Sequence, residues 1–177
     1  MKIDFVRHGQ TYLNIAGKTN GQSMDDSLTE EGINQAKETL IKISKDYTEI
    51  YSSDLLRAKQ TAEILNQKLN LSIQYDKRLR ERDVGSLLEK SWMEIGQEIK
   101  TIDKNQKYNY QPQGGESVED VKERLLSFIN EIVLNKKDEK ILVVTHGGII
   151  RLLHHMLYGE TPETIHNASV HEFEFKN

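Results

Sequence analysis

Two short apolar segments, far apart in the chain, both end in a histidine that is followed by glycine. Residues 3–6 lead into Arg7-His8-Gly9, and residues 141–145 lead into His146-Gly147-Gly148. Apolar runs of this length, bounded by glycine, are typical of buried strands. In open α/β sheets, ligands bind at the carboxyl ends of the strands. The two segments therefore predict one sheet that brings two imidazoles together at one edge. Gly9 has no Cβ, so we expect a sharp turn or a close approach to a ligand there.

Helical periodicity occupies much of the chain between these segments. Three stretches with apolar residues at steps of three and four each follow a residue suited to cap a helix. The predicted caps are Thr29 for the first helix, Ser53 or Asp54 for the second, and Ser117 for the third, where Asp120 completes a capping box. Further helices are predicted over residues 91–102 and 148–157, with a helical turn over residues 13–16.

Short apolar stretches between the helices predict additional strands at residues 49–52, 71–75 and 170–175. Strands that alternate with helices indicate the α/β class. We expect a three-layer α/β/α sandwich with a mostly parallel sheet and helices on both faces. The 177 residues fit one domain, 1–177, without repeats or linkers.

The composition limits the partners that this chain can have. A formal net charge of -4 argues against a general nucleic-acid or membrane-surface binder, because those need broad positive fields. No apolar run approaches the roughly 20 residues that span a bilayer. The charged first residues do not resemble a signal peptide. The chain contains no cysteine, which rules out thiolate catalysis and fits a cytoplasmic location. No pattern indicates an oligomeric state.

Five chemically active side chains follow strands or begin helices on the predicted sheet edge: Arg7, His8, Arg57, Glu81 and His146. Each alone is more often structural or surface-exposed, but the combination suits phosphoryl transfer. A neutral imidazole can attack phosphorus and form a covalent intermediate. Guanidinium groups neutralise phosphoryl oxygens, and a carboxylic acid can protonate the departing oxygen and later activate water. Spacing alone does not decide which of the two histidines attacks.

Six motifs in this order make the chain resemble the histidine phosphatase superfamily, in its phosphoglycerate mutase-like branch. The motifs are Arg7-His8-Gly9-Gln10-Thr11 with Asn14, Leu28-Thr29-Glu30-Glu31-Gly32, Ser52-Ser53-Asp54-Leu55-Leu56-Arg57-Ala58, Leu79-Arg80-Glu81, Gly115-Glu116-Ser117 and Thr145-His146-Gly147-Gly148. Together they extend over nearly the whole chain.

The resemblance implies a role for each matching residue. His8 would be the nucleophile and Glu81 the proton donor. The groups that would bind the phosphate are Arg7, Asn14, Arg57, His146 and the backbone amide of Gly147. The resemblance also implies a chemistry that needs neither a metal nor another cofactor. We therefore expect a phosphomonoesterase that acts on a small phosphorylated metabolite through a phosphohistidine.

The chain departs from the family pattern at segments that frame a substrate. Gly17-Lys18-Thr19-Asn20-Gly21 stands where many relatives read Gly-Arg-x-Gln-Gly, and Ser27 stands where proline is usual. Gly85-Ser86-Leu87-Leu88-Glu89 lacks the final glycine of the family's Gly-x-Trp-Glu-Gly. These departures leave the five candidate catalytic side chains unchanged, but they leave the substrate unidentified. We expect residues 84–115 to form a substrate lid.

Three alternative readings remain. The first is a phosphoglycerate mutase-type phosphotransferase, although such mutases of this family are longer, with an extra basic segment over the substrate. A short lid that contains Trp92 and several lysines fits a phosphatase better. The second is a non-catalytic phospho-ligand binding module, but degenerate members usually lose the nucleophile or the acid, and this chain keeps both. The third is a metal site at His154-His155, which is a poor chelate because adjacent helical residues point in different directions.

Overall fold

A central β-sheet organises the computed structural model, which describes residues 1–23, 26–136 and 139–175. The described part contains five strands: β1 (Lys2–Arg7), β2 (Glu49–Ser52), β3 (Ile73–Tyr75), β4 (Ile141–Thr145) and β5 (Val170–Glu174). Their order in the sheet is β3-β2-β4-β1-β5. The first four strands are parallel, and β5 pairs antiparallel with β1. The predicted mostly parallel sheet is confirmed.

Strands β1 and β4 are neighbours, and their register brings the two His-Gly motifs together. Arg7 lies opposite Thr145 at the carboxyl ends of the strands, so His8 and His146 leave the sheet at the same edge. All of β4 is buried, as are Ile3, Phe5 and Val6 of β1, because both faces of these central strands are covered. The predicted meeting of the two segments in one sheet is thereby confirmed.

The helices of the described residues alternate with the strands along the chain. They are α1 (Tyr12–Ile15), α2 (Glu30–Lys42), α3 (Leu56–Leu69), α4 (Trp92–Ile95), α5 (Gln97–Lys104), α6 (Val118–Asn135) and α7 (Gly147–Tyr158). Short 3-10 turns add Lys77–Leu79, Gly85–Leu87 and Gln111–Gln113.

Two apolar clusters lie on opposite faces of the sheet. Phe5 and Val143 pack against the inner faces of α6 and α7. Their sequence neighbours Val6 and Val144 point to the other side, where they pack against α3 and the end of α2. Successive strand residues face opposite ways, so each strand contributes to both clusters. The expected three-layer α/β/α arrangement is confirmed.

Two of the three predicted helix caps are confirmed, and the third is wrong. Thr29 accepts a hydrogen bond from the Gly32 amide, and Ser117 forms a capping box with Asp120. For α3 the prediction was wrong, because Leu55 occupies the N-cap position and makes no side-chain cap bond. Ser53 instead accepts a hydrogen bond from the Leu55 amide and contacts a histidine of the site.

The helix predicted over residues 91–102 is interrupted. Helix α4 ends and α5 begins at Gly96, whose φ of 94° lies outside the helical region. Glycine adopts positive φ without the steric cost that a Cβ imposes, so the chain can turn here between two amphipathic segments. The strand predicted from residue 71 begins at Ile73, because α3 ends at Asn70 in the left-handed conformation and two residues connect it to β3.

Among the described residues, every helix is too short or too polar to cross a bilayer.

Candidate active site

His8 lies at the end of β1 with 3% of its surface exposed. Its Nδ1 is 2.7 Å from the carbonyl oxygen of Gly9. A carbonyl oxygen only accepts hydrogen bonds, so Nδ1 carries the proton and donates it. The lone pair of the neutral ring is therefore on Nε2. The backbone fixes His8 in the tautomer that a nucleophile requires.

His146 follows β4 and is fully buried, with its ring centroid 5.2 Å from that of His8. Its Nε2 lies 2.8 Å from Ser53 Oγ. That oxygen also accepts from the Leu55 amide, so the hydroxyl holds the imidazole on its Nε2 side. The Nδ1 atom of His146 is buried and has no hydrogen-bond partner in the described part of the chain. In the tautomer with the proton on Nδ1, an incoming acceptor would satisfy an N–H group that is costly to leave unpaired.

Burial lowers the pKa of both histidines well below 6.5, and the positive charges of Arg57 and Arg7 lower it further. Both rings are therefore neutral near pH 7. A neutral ring keeps the lone pair that attack on phosphorus needs.

These pKa shifts predict that stability falls in mild acid. Below a pH of about 6.5 the unfolded histidines take up protons while His8 and His146 in the folded protein do not. The unfolded state then binds more protons, so the free energy of unfolding decreases as pH falls. Each ring contributes up to about 1.4 kcal/mol per pH unit. Urea unfolding at pH 7.5, 6.5 and 5.5 measures the decrease.

The control for this experiment is His8→Gln. His154 and His171 also have lowered pKa values because of burial, so the wild-type slope contains their contribution too. His8→Gln removes one titrating ring. It should therefore reduce the pH dependence of the free energy of unfolding by up to about 1.4 kcal/mol per pH unit, which corresponds to one proton. A slope that is equal in the two proteins would contradict a neutral, buried His8.

Arg7 and Arg57 supply positive charge beside the two rings. Arg7 donates from Nη1 to the Ile165 carbonyl, while its buried Nε has no hydrogen-bond partner among the described residues. Burial lowers the pKa of Arg7 to about 10, so the side chain remains a cation. Arg57 is fully buried near the start of α3, donates to the Gly21 carbonyl and lies 3.6 Å from Asp26 Oδ1.

Glu81 reaches the site from the segment after β3. Its Oε1 accepts from the Arg82 amide at 2.9 Å, and its Oε2 accepts from the Gly148 amide at 3.0 Å. A Cβ at Gly148 would lie 2.2 Å from Glu81 Oε1 and 1.8 Å from Arg82 Nη1. Only glycine therefore allows the carboxylate to pack against the start of α7.

Arg124 on α6 holds the Glu81 segment in place. Its guanidinium donates to the carbonyl oxygens of Arg78, Arg80 and Glu81, and to the carboxylate of Glu116. One side chain thus satisfies three carbonyl groups of the segment that carries the acid. A guanidinium suits this task because its donors are arranged in a rigid fork.

Asn14 presents a free amide group to the same site. Its Oδ1 accepts from the Thr11 amide and from Asn167 Nδ2. With Oδ1 used in this way, the NH2 group of Asn14 is oriented away from Thr11 and can donate elsewhere. Asn167 also donates to the His8 carbonyl, so it links the two motif residues.

Gly9 makes a close approach, but not to a ligand. A Cβ there would lie 2.3 Å from the carbonyl oxygen of Gly32, and Gly9 does not line the cavity described below. Gly32 in turn packs against the Gln10 backbone. The glycines allow the loop after β1 to lie against the start of α2.

A cavity of about 480 Å³ opens over these groups. Arg7, His8, Asn14, Glu81 and Gly147 line it. Arg57 and His146 do not line the cavity surface, because both are fully buried. The structure thus brings the seven predicted residues into one region, five at the surface of the cavity and two buried.

Residues 84–115 contribute part of the cavity wall. Their lining residues are Val84, Trp92, Lys100, Asp103 and Lys104. Tyr108 and Tyr110, which could have framed a substrate as aromatic residues of this segment, are instead buried and stacked at 5.3 Å. The segment therefore presents mainly charged side chains to the cavity.

Several residues of the site were not predicted from the sequence as functional. Ser53 orients His146, Arg124 holds the acid segment, and Asn167 links His8 to Asn14. Ser53 lies inside one of the six motifs, but the residue itself was interpreted only as a helix cap. Arg124 and Asn167 carry no motif of their own.

The described residues contain no group of three or more His, Asp or Glu side chains that could hold a metal ion. His154 instead contacts His171, with 3.1 Å between Nε2 and Nδ1, and packs against Phe173.

Known proteins resemble the chain over nearly all of its length. Residues 3–177 match the family model described as histidine phosphatase superfamily (branch 1). Phosphoglycerate mutase-like protein 4 of Arabidopsis thaliana is 34% identical over 181 residues, covering 97% of this chain and 78% of the relative. Metal-independent phosphoserine phosphatase of the same plant is 34% identical over 161 residues, covering 86% and 67%. The solved structure of mycobacterial glucosyl-3-phosphoglycerate phosphatase with VO3 has a TM-score of 0.84 at 28% identity, covering 97% of this chain and 91% of that one.

Proposed function

Because the chain belongs to the histidine phosphatase superfamily (branch 1), we propose that it is a phosphomonoesterase that acts on a small phosphorylated metabolite. Hydrolysis proceeds through a covalent phosphohistidine at His8. The observation that carries this proposal is the neutral, buried His8 ring whose Nδ1 donates to the Gly9 carbonyl. Its Nε2 lone pair is thereby held ready for attack.

In the first step, His8 Nε2 forms a bond to phosphorus while the bond from phosphorus to the leaving oxygen breaks. Glu81, as the carboxylic acid, gives its proton to that oxygen, and the alcohol departs. In the second step, the Glu81 carboxylate takes a proton from water. The water oxygen then bonds to phosphorus, the N–P bond breaks, and inorganic phosphate leaves with His8 neutral again.

The transferred phosphoryl group meets several donors that the protein leaves free. Arg7 Nε and His146 Nδ1 are buried atoms without a hydrogen-bond partner in the described part of the chain, and the Asn14 amide faces away from its own backbone contact. The Gly147 amide opens α7, where the first N–H groups have no intrahelical acceptor. Arg57 adds a buried positive charge. Donors held in place before the reaction stabilise the transition state, where negative charge develops.

The small size of the segment formed by residues 84–115 favours phosphatase activity over mutase activity. We propose that this segment is the substrate lid of a single domain, and its helices α4 and α5 comprise 4 and 8 residues. A mutase must retain the dephosphorylated product and exclude water, which a more extensive cover would serve. The relatives include proteins named for each activity, so mutase activity remains the alternative.

One experiment separates the two activities. Phosphate release from 3-phosphoglycerate and its conversion to 2-phosphoglycerate are followed with the same preparation. We expect phosphate release to dominate, because water can enter the cavity while His8 is phosphorylated. Rapid interconversion with little release would show a mutase, and tight binding without turnover of either 3-phosphoglycerate or p-nitrophenyl phosphate would indicate a binding module. The cytoplasmic location stays a prediction.

A further inference from the structure

Arg82 places a positive charge directly beside the proposed proton donor. Its Nη1 lies 3.6 Å from Glu81 Oε1, which is too far for a hydrogen bond. The side chain is buried under the ring of Tyr108, which burial keeps neutral by raising the pKa of its hydroxyl. Both Nη1 and Nε of Arg82 lack a hydrogen-bond partner in the described part of the chain. Arg82 therefore has N–H groups that could close onto the Glu81 carboxylate.

A close ion pair between Arg82 and Glu81 would oppose the role proposed for the acid. Proton donation to the leaving oxygen requires the carboxylic acid, whereas a positive charge within about 4–6 Å favours the carboxylate. Arg7 and Arg151 also act electrostatically on Glu81, from β1 and from α7, and Arg124 of α6 donates to its carbonyl oxygen. With cations on these sides, the protonated form of Glu81 needs negative charge nearby to offset them.

Asp103 of α5 supplies that negative charge. Its Oδ2 accepts from Arg82 Nη2 at 2.8 Å, and its Oδ1 accepts from the Tyr110 hydroxyl at 2.6 Å, so both carboxylate oxygens are held in place. Burial disfavours the charge of Arg82, but the carboxylates of Asp103 and Glu81 raise its pKa, so the side chain is a cation. Asp103 also acts electrostatically on Arg151. Of the two carboxylates near Arg82, Asp103 therefore makes the hydrogen-bonded pair, and Glu81 does not.

We propose that Asp103 is a positioning residue for the general acid: it holds Arg82 and offsets its charge, so that Glu81 can carry the proton for the leaving oxygen. In this role Asp103 acts through Arg82 and needs no contact with the reacting atoms. The inference rests on the proposed phosphomonoesterase function and adds a residue to its mechanism. Without Asp103, the N–H groups of Arg82 turn to Glu81 and hold it as the carboxylate. The first step then slows for leaving groups that need a proton.

The test is the leaving-group dependence of kcat/KM in Asp103→Asn. One substrate is p-nitrophenyl phosphate, and the other is glycerol 3-phosphate or ribose 5-phosphate, whichever the wild-type protein hydrolyses faster. The rate with the alkyl phosphate should fall about tenfold or more, the effect of one opposite charge on the protonation of a carboxyl group. The alkaline limb of its pH profile should move to lower pH by about one unit. The rate with p-nitrophenyl phosphate should change little, because nitrophenolate departs unprotonated.

The ratio of the two rates does not depend on how much of the variant is folded, since the same folded molecules hydrolyse both substrates. A wild-type ratio in Asp103→Asn overturns the proposal. The double variant Arg82→Met/Asp103→Asn removes the pair without leaving a buried charge unpaired, and it should return the ratio to that of the wild-type protein. Should Asp103→Asn alone not fold, this double variant decides, because a lowered ratio without Arg82 would show that Asp103 acts in another way.

Asp46→Asn is the matched control. Asp46 is exposed, lies outside the cavity and pairs with Lys140 at 2.9 Å. Its loss removes an aspartate from an ion pair as Asp103→Asn does, but far from the acid, so the ratio and the pH profile should stay unchanged.

Carbon-13 NMR of labelled glutamate carboxyl groups follows the protonation of Glu81 without catalysis, with its signal assigned by its loss in Glu81→Gln. The midpoint of the titration should lie at lower pH in Asp103→Asn than in the wild-type protein, and should return in the double variant. An unchanged midpoint overturns the proposal. If the wild-type protein releases no phosphate from any of these substrates, the proposed function fails, and the titration still decides whether Asp103 sets the protonation of Glu81.

Discussion

Replacement of His8 by alanine is expected to reduce the hydrolysis of p-nitrophenyl phosphate by about 10⁴-fold or more, the range for loss of a catalytic nucleophile. Without the ring, no atom of the site can form the covalent intermediate. The neighbouring His146 cannot substitute, because its ring is fully buried behind the cavity surface and its Nε2 is engaged with Ser53. Steady-state rates, together with trapping of a radioactive phosphoryl group on the protein, measure the loss.

The matched control is His155→Ala, which removes a partly exposed histidine of α7 outside the cavity. Its rate and its labelling should equal those of the wild-type protein. Circular dichroism and the melting temperature of His8→Ala establish that the fold is retained. Undiminished hydrolysis, or a label that remains on the folded variant, would remove His8 from the mechanism.

Replacement of Glu81 by glutamine has the second largest expected effect. The amide can neither donate the proton to the leaving oxygen nor accept one from water, and loss of general acid–base catalysis costs about 10²- to 10⁴-fold. The loss should be full for an alkyl phosphate, whose leaving oxygen needs the proton. With p-nitrophenyl phosphate the first step should lose less, because nitrophenolate departs unprotonated.

This difference has a kinetic signature in Glu81→Gln. With p-nitrophenyl phosphate, phosphorylation of His8 should be faster than hydrolysis of the phosphohistidine. A burst of nitrophenol equal to the enzyme concentration should therefore precede a slow steady state. Glu63→Gln, the same change at an exposed position of α3, serves as the control and should show no burst. An equal loss for both leaving groups, without a burst, would contradict the assignment of Glu81 as proton donor.

The parts of the fold that were predictable depend on residues close in sequence. The capping box of Ser117 and Asp120 spans three residues, and the apolar runs before His8 and His146 mark strands wherever the rest of the chain lies. Since parallel strands end at the same edge of a sheet, the meeting of the two histidines followed from these local patterns.

The errors arose where a local pattern had a competing role. Ser53 is a residue type that caps helices, yet its hydroxyl forms a hydrogen bond with His146, which is 93 residues away in the sequence. The periodicity of residues 91–102 suits one helix, yet Gly96 turns the chain into two. In both cases local propensity was overridden by contacts, or by a backbone conformation, that periodicity does not encode.

The amino-acid sequence alone determined the fold class, the superfamily and the residues that meet at the sheet edge, because periodicity, caps and motifs are local properties of the chain. Only the tertiary structure decided which nitrogen of His8 carries the proton and what holds the His146 ring, since these depend on the Gly9 carbonyl and on Ser53. It also showed that Arg57 and His146 are fully buried behind the surface of the cavity. Hydrogen bonds and ion pairs between distant segments exist only once packing has set their distances, and these contacts set the chemistry of the site.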